Sequence, residues 1–205
     1  MKKILLTSVA AVMVTIVANA KTAPYVSIHA GYTKPTMSLS VKENWKYNLG
    51  EYFSDDFAYD VSGAVGIKLD ISSMFDVRAE AEYDFVNGFV FATSGVWQRS
   101  HTTLFNAYLD LKNNTPLTPY IGGGIGYQWN HSSEATFSNQ RRTVYKSMAC
   151  QIGTGFAFNI TDNLSMDLGY RYLWSLHKFN SDNGLHHYHT TNTYHQFRIG
   201  AMYAF

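Results

Sequence analysis

A chain of 205 residues with 16 lysines and arginines against 15 aspartates and glutamates has a formal net charge of only +1. That balance provides no concentrated basic surface, so the sequence predicts no nucleic-acid partner, and the length fits a single domain. Cys150 is the only cysteine, so the chain cannot form an internal disulfide. Its neighbours Met148, Ala149 and Ile152 are apolar, which favours an inert thiol over a catalytic one.

The first twenty residues have the pattern of a secretory signal peptide. Two lysines precede an apolar run over residues 4–17, and residues 18–20 (Ala-Asn-Ala) form the small-x-small pattern that signal peptidases cleave. A membrane anchor is the alternative, but the run is shorter than the ~20 residues that a spanning helix needs. We therefore predict a signal peptide at residues 1–20, cleavage near Ala20, and one β-barrel domain at residues 21–205.

Beyond residue 20, apolar and polar residues alternate, which predicts strands with one face in each environment. Between residues 57 and 70, every second position from Phe57 to Leu69 lies on the apolar face. Between residues 76 and 86, the polar positions 78, 80, 82 and 84 are all charged. Each segment is longer than the ~5–6 residues that are usual for a strand in a soluble protein. This length suits a tilted transmembrane strand, which needs ~9–11 residues. The eight predicted strands cover residues 24–34, 57–70, 76–86, 98–111, 119–130, 144–158, 164–177 and 193–205.

The connections alternate between tight and long. Tight connections cover residues 71–75, 112–118 and 159–163, and long ones cover residues 35–56, 87–97, 131–143 and 178–192. Bacterial outer-membrane barrels place short turns in the periplasm and long loops outside the cell, and they carry aromatic girdles that suit the 16% aromatic content of this chain. The predicted fold is all-β: an eight-stranded antiparallel transmembrane β-barrel with four long extracellular loops and short periplasmic turns.

Three stretches of the sequence resemble a known family. They read TPYIGGGIGYQWN (residues 118–130), TDNLSMDLGYRYL (residues 161–173) and FRIGAMYAF (residues 197–205). In this order they are similar to the opacity-protein and surface-antigen family of Gram-negative outer-membrane barrels, whose architecture is OmpA-like. The resemblance implies insertion into the outer membrane by the assembly machinery, an assembly signal that includes Phe205, and contact with outer-membrane lipid and lipopolysaccharide.

Charged residues fall on the polar faces of the predicted strands. The interior of an eight-stranded barrel is just wide enough for side chains to fill, and charges buried there must pair. We therefore expect a salt-bridged interior rather than a proton path or a catalytic carboxylate pair. The predicted interior residues are Asp60, Lys68, Arg78, Glu80, Glu82, Asp84, Asp110, Asp167, Arg171 and Arg198.

Other motifs with chemical potential do not form a recognisable site. A hydrolase needs a nucleophile beside a base that a third group orients. Serine and histidine are adjacent at Ser100-His101 and His131-Ser132, but neither pair sits in a recognisable local signature. The glycines of residues 122–126 lie in a predicted strand without a following helix, so they do not form a phosphate loop. We predict that the chain is not an enzyme, has no catalytic residues and takes no cofactor.

Five of the eight histidines lie between His177 and His195. His186, His187 and His189 are candidate ligands for a transition metal or haem, but a metal site needs three or four groups that converge on one point. In an extended segment His187 and His189 share a face and His186 opposes them. A solvated loop is therefore the favoured interpretation over a metal site.

These observations lead to a hypothesis of function with two alternatives. The leading one is a structural outer-membrane barrel and surface antigen whose loops contact host or cell-surface ligands in adhesion. The alternatives are a small porin-like diffusion pore and a metal or haem collector that uses the last loop.

Overall fold

The computed structural model describes residues 21–42, 46–53, 58–91, 96–136, 139–176, 179–182 and 187–205. Ten strands and no helix occur in these ranges. Nowhere in the same ranges is a helix long and apolar enough to cross a membrane. The strands are β1 (Lys21–Lys42), β2 (Lys46–Phe53), β3 (Ala58–Asp70), β4 (Phe75–Phe91), β5 (Val96–Leu111), β6 (Leu117–Thr136), β7 (Asn139–Asn159), β8 (Leu164–Ser175), β9 (Phe179–Asp182) and β10 (His187–Ala204).

Eight of these strands close into an antiparallel barrel. Neighbours run in the order β1-β3-β4-β5-β6-β7-β8-β10, and β10 returns to pair with β1 from Tyr25↔Ala204 to Lys42↔His187. The predicted eight-stranded antiparallel barrel is therefore confirmed. The short strands β2 and β9 lie outside this ring, where they pair with the last residues of β1 and the first residues of β10.

The strands are longer than the sequence pattern indicated. At one end of the barrel the connections are tight, between β3 and β4, β5 and β6, and β7 and β8. At the other end, much of what was predicted as loop is strand: β1 and β2 enter residues 35–56, β6 and β7 enter residues 131–143, and β9 and β10 enter residues 178–192. Backbone pairing of neighbouring strands extends past the point where the alternation of apolar and polar residues stops.

The barrel is polar inside and apolar outside. On β10, Gln196 and Arg198 are buried, whereas Phe197 and Ile199 are 62% and 53% exposed. The same parity governs the other seven strands of the ring, because successive side chains of a strand point to opposite faces. Two exceptions are Leu69 at the end of β3, which was predicted on the outer face but is buried, and Thr36 of β1, which is buried next to Pro35.

Aromatic rings gather toward both ends of the outer surface. At the end with the tight turns, Tyr203 packs edge-to-face on Phe205, with ring centroids 5.2 Å apart. Toward the other end, Tyr127 packs on Trp129, and Tyr172 stacks on Trp174. Aromatic contacts at both ends suit the aromatic girdles of an outer-membrane barrel.

Candidate functional site

The interior of the barrel is the candidate functional site, and its centre is a carboxylate shared by two arginines. Glu82 projects inward from β4, where it accepts hydrogen bonds from Arg171 Nη1 at 2.8 Å and from Arg198 Nη2 at 2.6 Å. Arg171 Nη2 also lies 3.1 Å from the carboxylate of Asp84. Three strands, β4, β8 and β10, are therefore tied together across the interior by buried charges.

The same cluster continues toward β1 and β3. Arg198 Nε lies 3.4 Å from the carboxylate of Asp60, which accepts a hydrogen bond from Thr33 at 2.8 Å. Gln196 accepts a bond from Arg171 Nε at 2.6 Å, and its amide donates to Thr33 at 3.0 Å. These residues form one network in which neutral amides and hydroxyls bridge the ion pairs, as buried charges require.

A second cluster surrounds Arg78, nearer the tight turns. Its guanidinium bonds to Asp110 at 2.9 Å and lies between the rings of Tyr108 and Tyr120, 4.9 Å and 4.8 Å from their centroids. Tyr120 in turn donates to Asp167 at 2.9 Å. The arginine is thus held by a carboxylate and by two aromatic faces, both of which attract a cation.

Glu80 lies between the two arginine clusters. Tyr25 donates to one of its oxygens at 2.8 Å, and Asn106 donates to the other at 3.1 Å. The Asn106 amide also lies 2.7 Å from Glu82, and its oxygen accepts a bond from Gln151 at 3.0 Å. Through Asn106, contact between the side chains extends from β4 across β5 to β7.

A third cluster closes the end with the tight turns. Lys68 lies 3.1 Å from Asp76, and Lys112 lies 2.8 Å from Asp76 and 2.6 Å from Asp70. Partial burial acts to lower the pKa of Lys112, but its hydrogen bonds with Asp70 and Asp76 outweigh this and leave the pKa raised. The lysine is therefore held in its charged form by the two carboxylates.

Glycines on the inner faces of β6, β7 and β8 give the interior side chains their space. A Cβ at Gly122 would clash with the ring of Tyr108, and one at Gly155 or Gly169 would clash with the hydroxyl of Tyr120. The two tyrosines that hold Arg78 therefore lie against bare backbone. These glycines serve packing, and they lie in strands rather than in a phosphate loop.

A small cavity lies inside the described barrel. It has a volume of about 30 Å³ and is lined by His29, Arg78, Tyr120, Asp167 and Arg198, among others. Since one water needs at least ~10–15 Å³, the cavity has room for one or two waters. Such a space is far smaller than the aqueous channel of a large porin.

All ten residues predicted for the interior lie on inward-facing positions. Lys68 is half-buried at the rim, and the other nine are buried. The prediction named only charged residues, so it omitted Tyr25, Asn106, Tyr108, Tyr120 and Gln196, which bridge them. Strand parity identifies these residues, because Asn106 and Tyr108 share the inward face of β5 with Asp110.

The serine, histidine and metal-ligand candidates named from the sequence do not come together in the part of the chain that the structure describes. Ser100 is buried in the interior, whereas His101, the next residue, faces outward, so the barrel wall separates this pair. His186 lies outside the described residues, and His187 and His189 occupy alternate positions of β10, opposite Lys42 and Ser40 of β1. Among the side chains that the structure describes, no group of three or more His, Cys, Asp and Glu residues is placed to hold a metal ion.

A known protein family matches the chain over the whole of the described barrel. A family model with the description "Outer membrane protein beta-barrel domain" matches residues 4–205. Neisserial surface protein A has a solved structure that superposes with a TM-score of 0.59 at 16% identity, covering 90% of this chain and 99% of that chain. At this identity the likeness shows a shared fold.

Two curated relatives match a shorter segment. An uncharacterized protein of Brucella abortus is 37% identical over 90 residues, which cover 39% of this chain and 30% of that protein. The outer membrane protein PagN of Salmonella typhimurium is 32% identical over 81 residues, which cover 37% of this chain and 34% of PagN. The match therefore spans about a third of the length of each relative.

Proposed function

The chain belongs to the family of outer membrane protein beta-barrel domains, and from that membership we propose that it is a non-conducting structural barrel that presents a strand-built adhesion surface outside the cell. Its location is the outer membrane of a Gram-negative bacterium. The ligand of this surface is a host or cell-surface molecule, and the chain performs no catalysis and uses no cofactor in this proposal.

The length of the strands carries the proposal. A tilted strand crosses a bilayer with about 9–11 residues, yet β6 has 20 residues, β7 has 21 and β1 has 22. The tight turns mark the periplasmic end, so about half of each of these strands extends beyond the hydrocarbon core on the outside. Hydrogen-bonded hairpins hold a fixed shape, which lowers the entropy cost of binding relative to a loose loop.

Deletion of the outer segments tests adhesion directly. Four deletion variants, each with residues 35–56, 87–97, 131–143 or 178–192 replaced by a two-residue Asn-Gly turn, leave the spanning strands intact. We expect at least one deletion to weaken the binding of bacteria that express the protein to host cells, while heat-modifiable migration on a gel shows a folded barrel. Undiminished binding with all four deletion variants would overturn the proposal.

The interior supports a closed barrel over the pore alternative. The clusters around Glu82, Arg78 and Asp76 occupy successive levels from the outer half to the periplasmic end, and the cavity near Arg78 has room for only one or two waters. Charges that interlock in this way stabilise the closed interior, since a carboxylate that loses its arginine is left buried and unpaired. The pore alternative has no comparable support from these contacts.

Assembly and processing complete the proposal. Phe205 is 70% exposed on the outside of the barrel, its backbone N–H donates to Pro24, and its ring packs on Tyr203. We propose that the assembly machinery recognises this exposed ring, so Phe205→Lys reduces the folded barrel in outer membranes, while Tyr203→Phe leaves it unchanged. Equal folded amounts for wild type and Phe205→Lys would contradict this role.

Sequencing of the mature N-terminus tests cleavage after Ala20, which predicts Lys21 as the first residue.

The metal alternative has a direct test of its own. Zinc titration of the purified barrel, compared with a variant in which His186, His187 and His189 are all alanine, distinguishes the two interpretations. We expect weak binding that is the same for both proteins, because His187 and His189 occupy alternate positions of one strand and a metal site needs three or four groups that converge on one point. A tight one-to-one site that the variant lacks would establish the metal alternative.

A further inference from the structure

The closed ring of strands divides at the extracellular end of the barrel. The outermost paired residues of β3 and β4 are Asp60↔Val86. Those of β7 and β8 are Ala149↔Ser175. Above these points β4, β5, β6 and β7 stay paired with one another, and β2, β1, β10 and β9 form a second four-stranded unit. The outer end of the described barrel therefore consists of two sheets, with a seam between them on each side.

One long strand edge at these seams belongs to β7. Its residues 139–148 pair with β6 on one side. On the side of β8, the ladder ends with a bond from the Leu176 N–H to the Met148 oxygen at 2.8 Å. Farther out, none of the residues that the structure describes pairs with this side of β7, because β9 pairs with β10 instead. We call residues 139–148 the open edge, since an unpaired strand edge is a template for another strand.

The last bond of the ladder fixes where the backbone groups of the open edge point. The N–H and C=O of one residue in an antiparallel strand point to the same side, and successive residues alternate. The β6–β7 register runs without a shift as far as Thr136↔Asn139, so this alternation holds along the whole segment. The groups that share the side of the Met148 oxygen are therefore those of Gln140, Arg142, Val144 and Lys146. A strand added here meets evenly spaced donors and acceptors, and the β6–β7 pairing stays intact.

The charge of the open edge favours one kind of partner. This segment contains Arg141, Arg142 and Lys146 and no aspartate or glutamate. Across the hairpin, Glu134 of β6 is paired with Arg141. One carboxylate against three cations leaves an excess of positive charge along the edge. Complementary charge selects among partners and speeds their encounter, so the open edge suits an acidic strand.

We propose that the open edge binds an extended, acidic polypeptide segment of a host or cell-surface protein, which pairs with residues 140–146 as an additional strand. Backbone hydrogen bonds provide the affinity in this mode of recognition, and the cations of the edge provide the preference for carboxylates. A strand edge that is already formed lowers the entropy cost of binding. The inference rests on the proposed adhesion function and names the class of its partner and the place where it binds.

The seam on the other side of the barrel provides a matched comparison. β2 also lies at the end of its sheet, and its residues 46–53 contain one lysine and one glutamate. Residues 87–91 of β4, which continue beyond the last pair with β3, contain no charged residue. Backbone edges are therefore present at both seams, but only the open edge carries an excess of charge. An acidic strand gains nothing from charge at β2 or β4.

The test uses synthetic peptides and the purified barrel in detergent micelles. One peptide alternates threonine with glutamate, and the other alternates threonine with lysine. Val144→Pro removes an N–H that points to the open edge and leaves the β6 side intact, as an edge strand tolerates, whereas Val144→Thr keeps the N–H. We expect wild type and Val144→Thr to bind the acidic peptide equally in fluorescence anisotropy, and Val144→Pro to bind it about tenfold more weakly. Wild type is expected to bind the lysine peptide more weakly by a similar factor.

Amide hydrogen exchange locates the bound peptide. We expect the acidic peptide to slow exchange at Arg142, Val144 and Lys146 and to leave residues 87–91 unchanged. Equal binding of both peptides by wild type, equal binding by the folded Val144→Pro and Val144→Thr variants, or protection confined to β2 or β4 would each overturn the inference. Protection that grows with protein concentration in the absence of peptide would assign the open edge to a second copy of the chain and would overturn it as well. Because the comparison of peptides on wild type needs no variant, it is decisive even if Val144→Pro does not fold.

Failure of this inference is distinguishable from failure of the proposed function. If deletion of residues 131–143 weakens binding to host cells while Val144→Pro does not, adhesion stands and the open edge is excluded as its site. If all four deletion variants bind host cells as well as wild type does, the proposed function itself fails.

Discussion

The inner faces of β4 and β6 are opposites, although both strands cross the same membrane. β4 presents Arg78, Glu80, Glu82 and Asp84 in succession, and all are buried. β6 presents glycine at residues 122, 124 and 126, where an added Cβ would clash with Tyr108, Asn106 and backbone oxygens. β4 fills the middle of the interior with charge, and the glycines of β6 leave that part of the interior free of side chains.

The contrast shows that the two faces depend on each other. Because Gly122 has no side chain, the Tyr108 ring lies against β6, and because Gly155 has none, Tyr120 lies against β7. The space between these rings is where the guanidinium of Arg78 is held beside Asp110. The bare backbone of one wall thus positions a charge that the other wall contributes.

The largest expected effect comes from breaking the shared carboxylate cluster. Arg171→Ala removes one of the two arginines that bond Glu82 and the arginine that lies beside Asp84, while both carboxylates stay buried, so we expect a loss of about 3–5 kcal/mol in the free energy of unfolding. Guanidinium unfolding of the barrel in detergent micelles measures it. The double variant Arg171→Met/Glu82→Gln is expected to lose less than the sum of its single variants, and strict additivity would show that the two residues do not interact.

A smaller effect is expected from filling the glycine wall. Gly122→Val places a branched side chain where Tyr108 lies, and overpacking of this kind costs about 1–3 kcal/mol. The matched control is Gly63→Val on the outward face of β3, where the nearest atom to an added Cβ is the Ser27 oxygen at 3.9 Å. Equal stability of the two valine variants in the same micelles would show that the inner glycines are not needed for space.

The smallest effect is expected at the periplasmic end. Lys112→Met removes two ion pairs that are partly open to water, so we expect a change of at most about 1 kcal/mol. Since the folded-state pKa of Lys112 is raised, its contribution is complete below the unfolded pKa near ~10.4 and is lost as the pH rises above it. Stability curves for wild type and Lys112→Met should therefore converge at alkaline pH. Curves that converge in acid only would contradict the assignment.

Strand parity made the ring of eight strands and the inward position of Arg78 and Glu82 predictable, because an alternating pattern fixes which face a residue occupies. It did not predict that β6 and β7 continue past residue 130, since the alternation of apolar and polar residues in the sequence ends there. The alternating pattern also did not predict which charged residues pair with each other. Arg171 contacts Glu82, 89 positions away, across the interior, and only the closed barrel defines that distance.

We propose that the interlocked interior closes the barrel to ions. Planar bilayer recordings of the purified protein measure this, with Arg171→Ala/Arg198→Ala as a variant whose central carboxylates have lost their arginines. We expect no stable conductance from wild type, and brief openings at most from the variant. Long-lived channels of porin size in wild-type recordings would contradict a closed barrel and favour the diffusion pore.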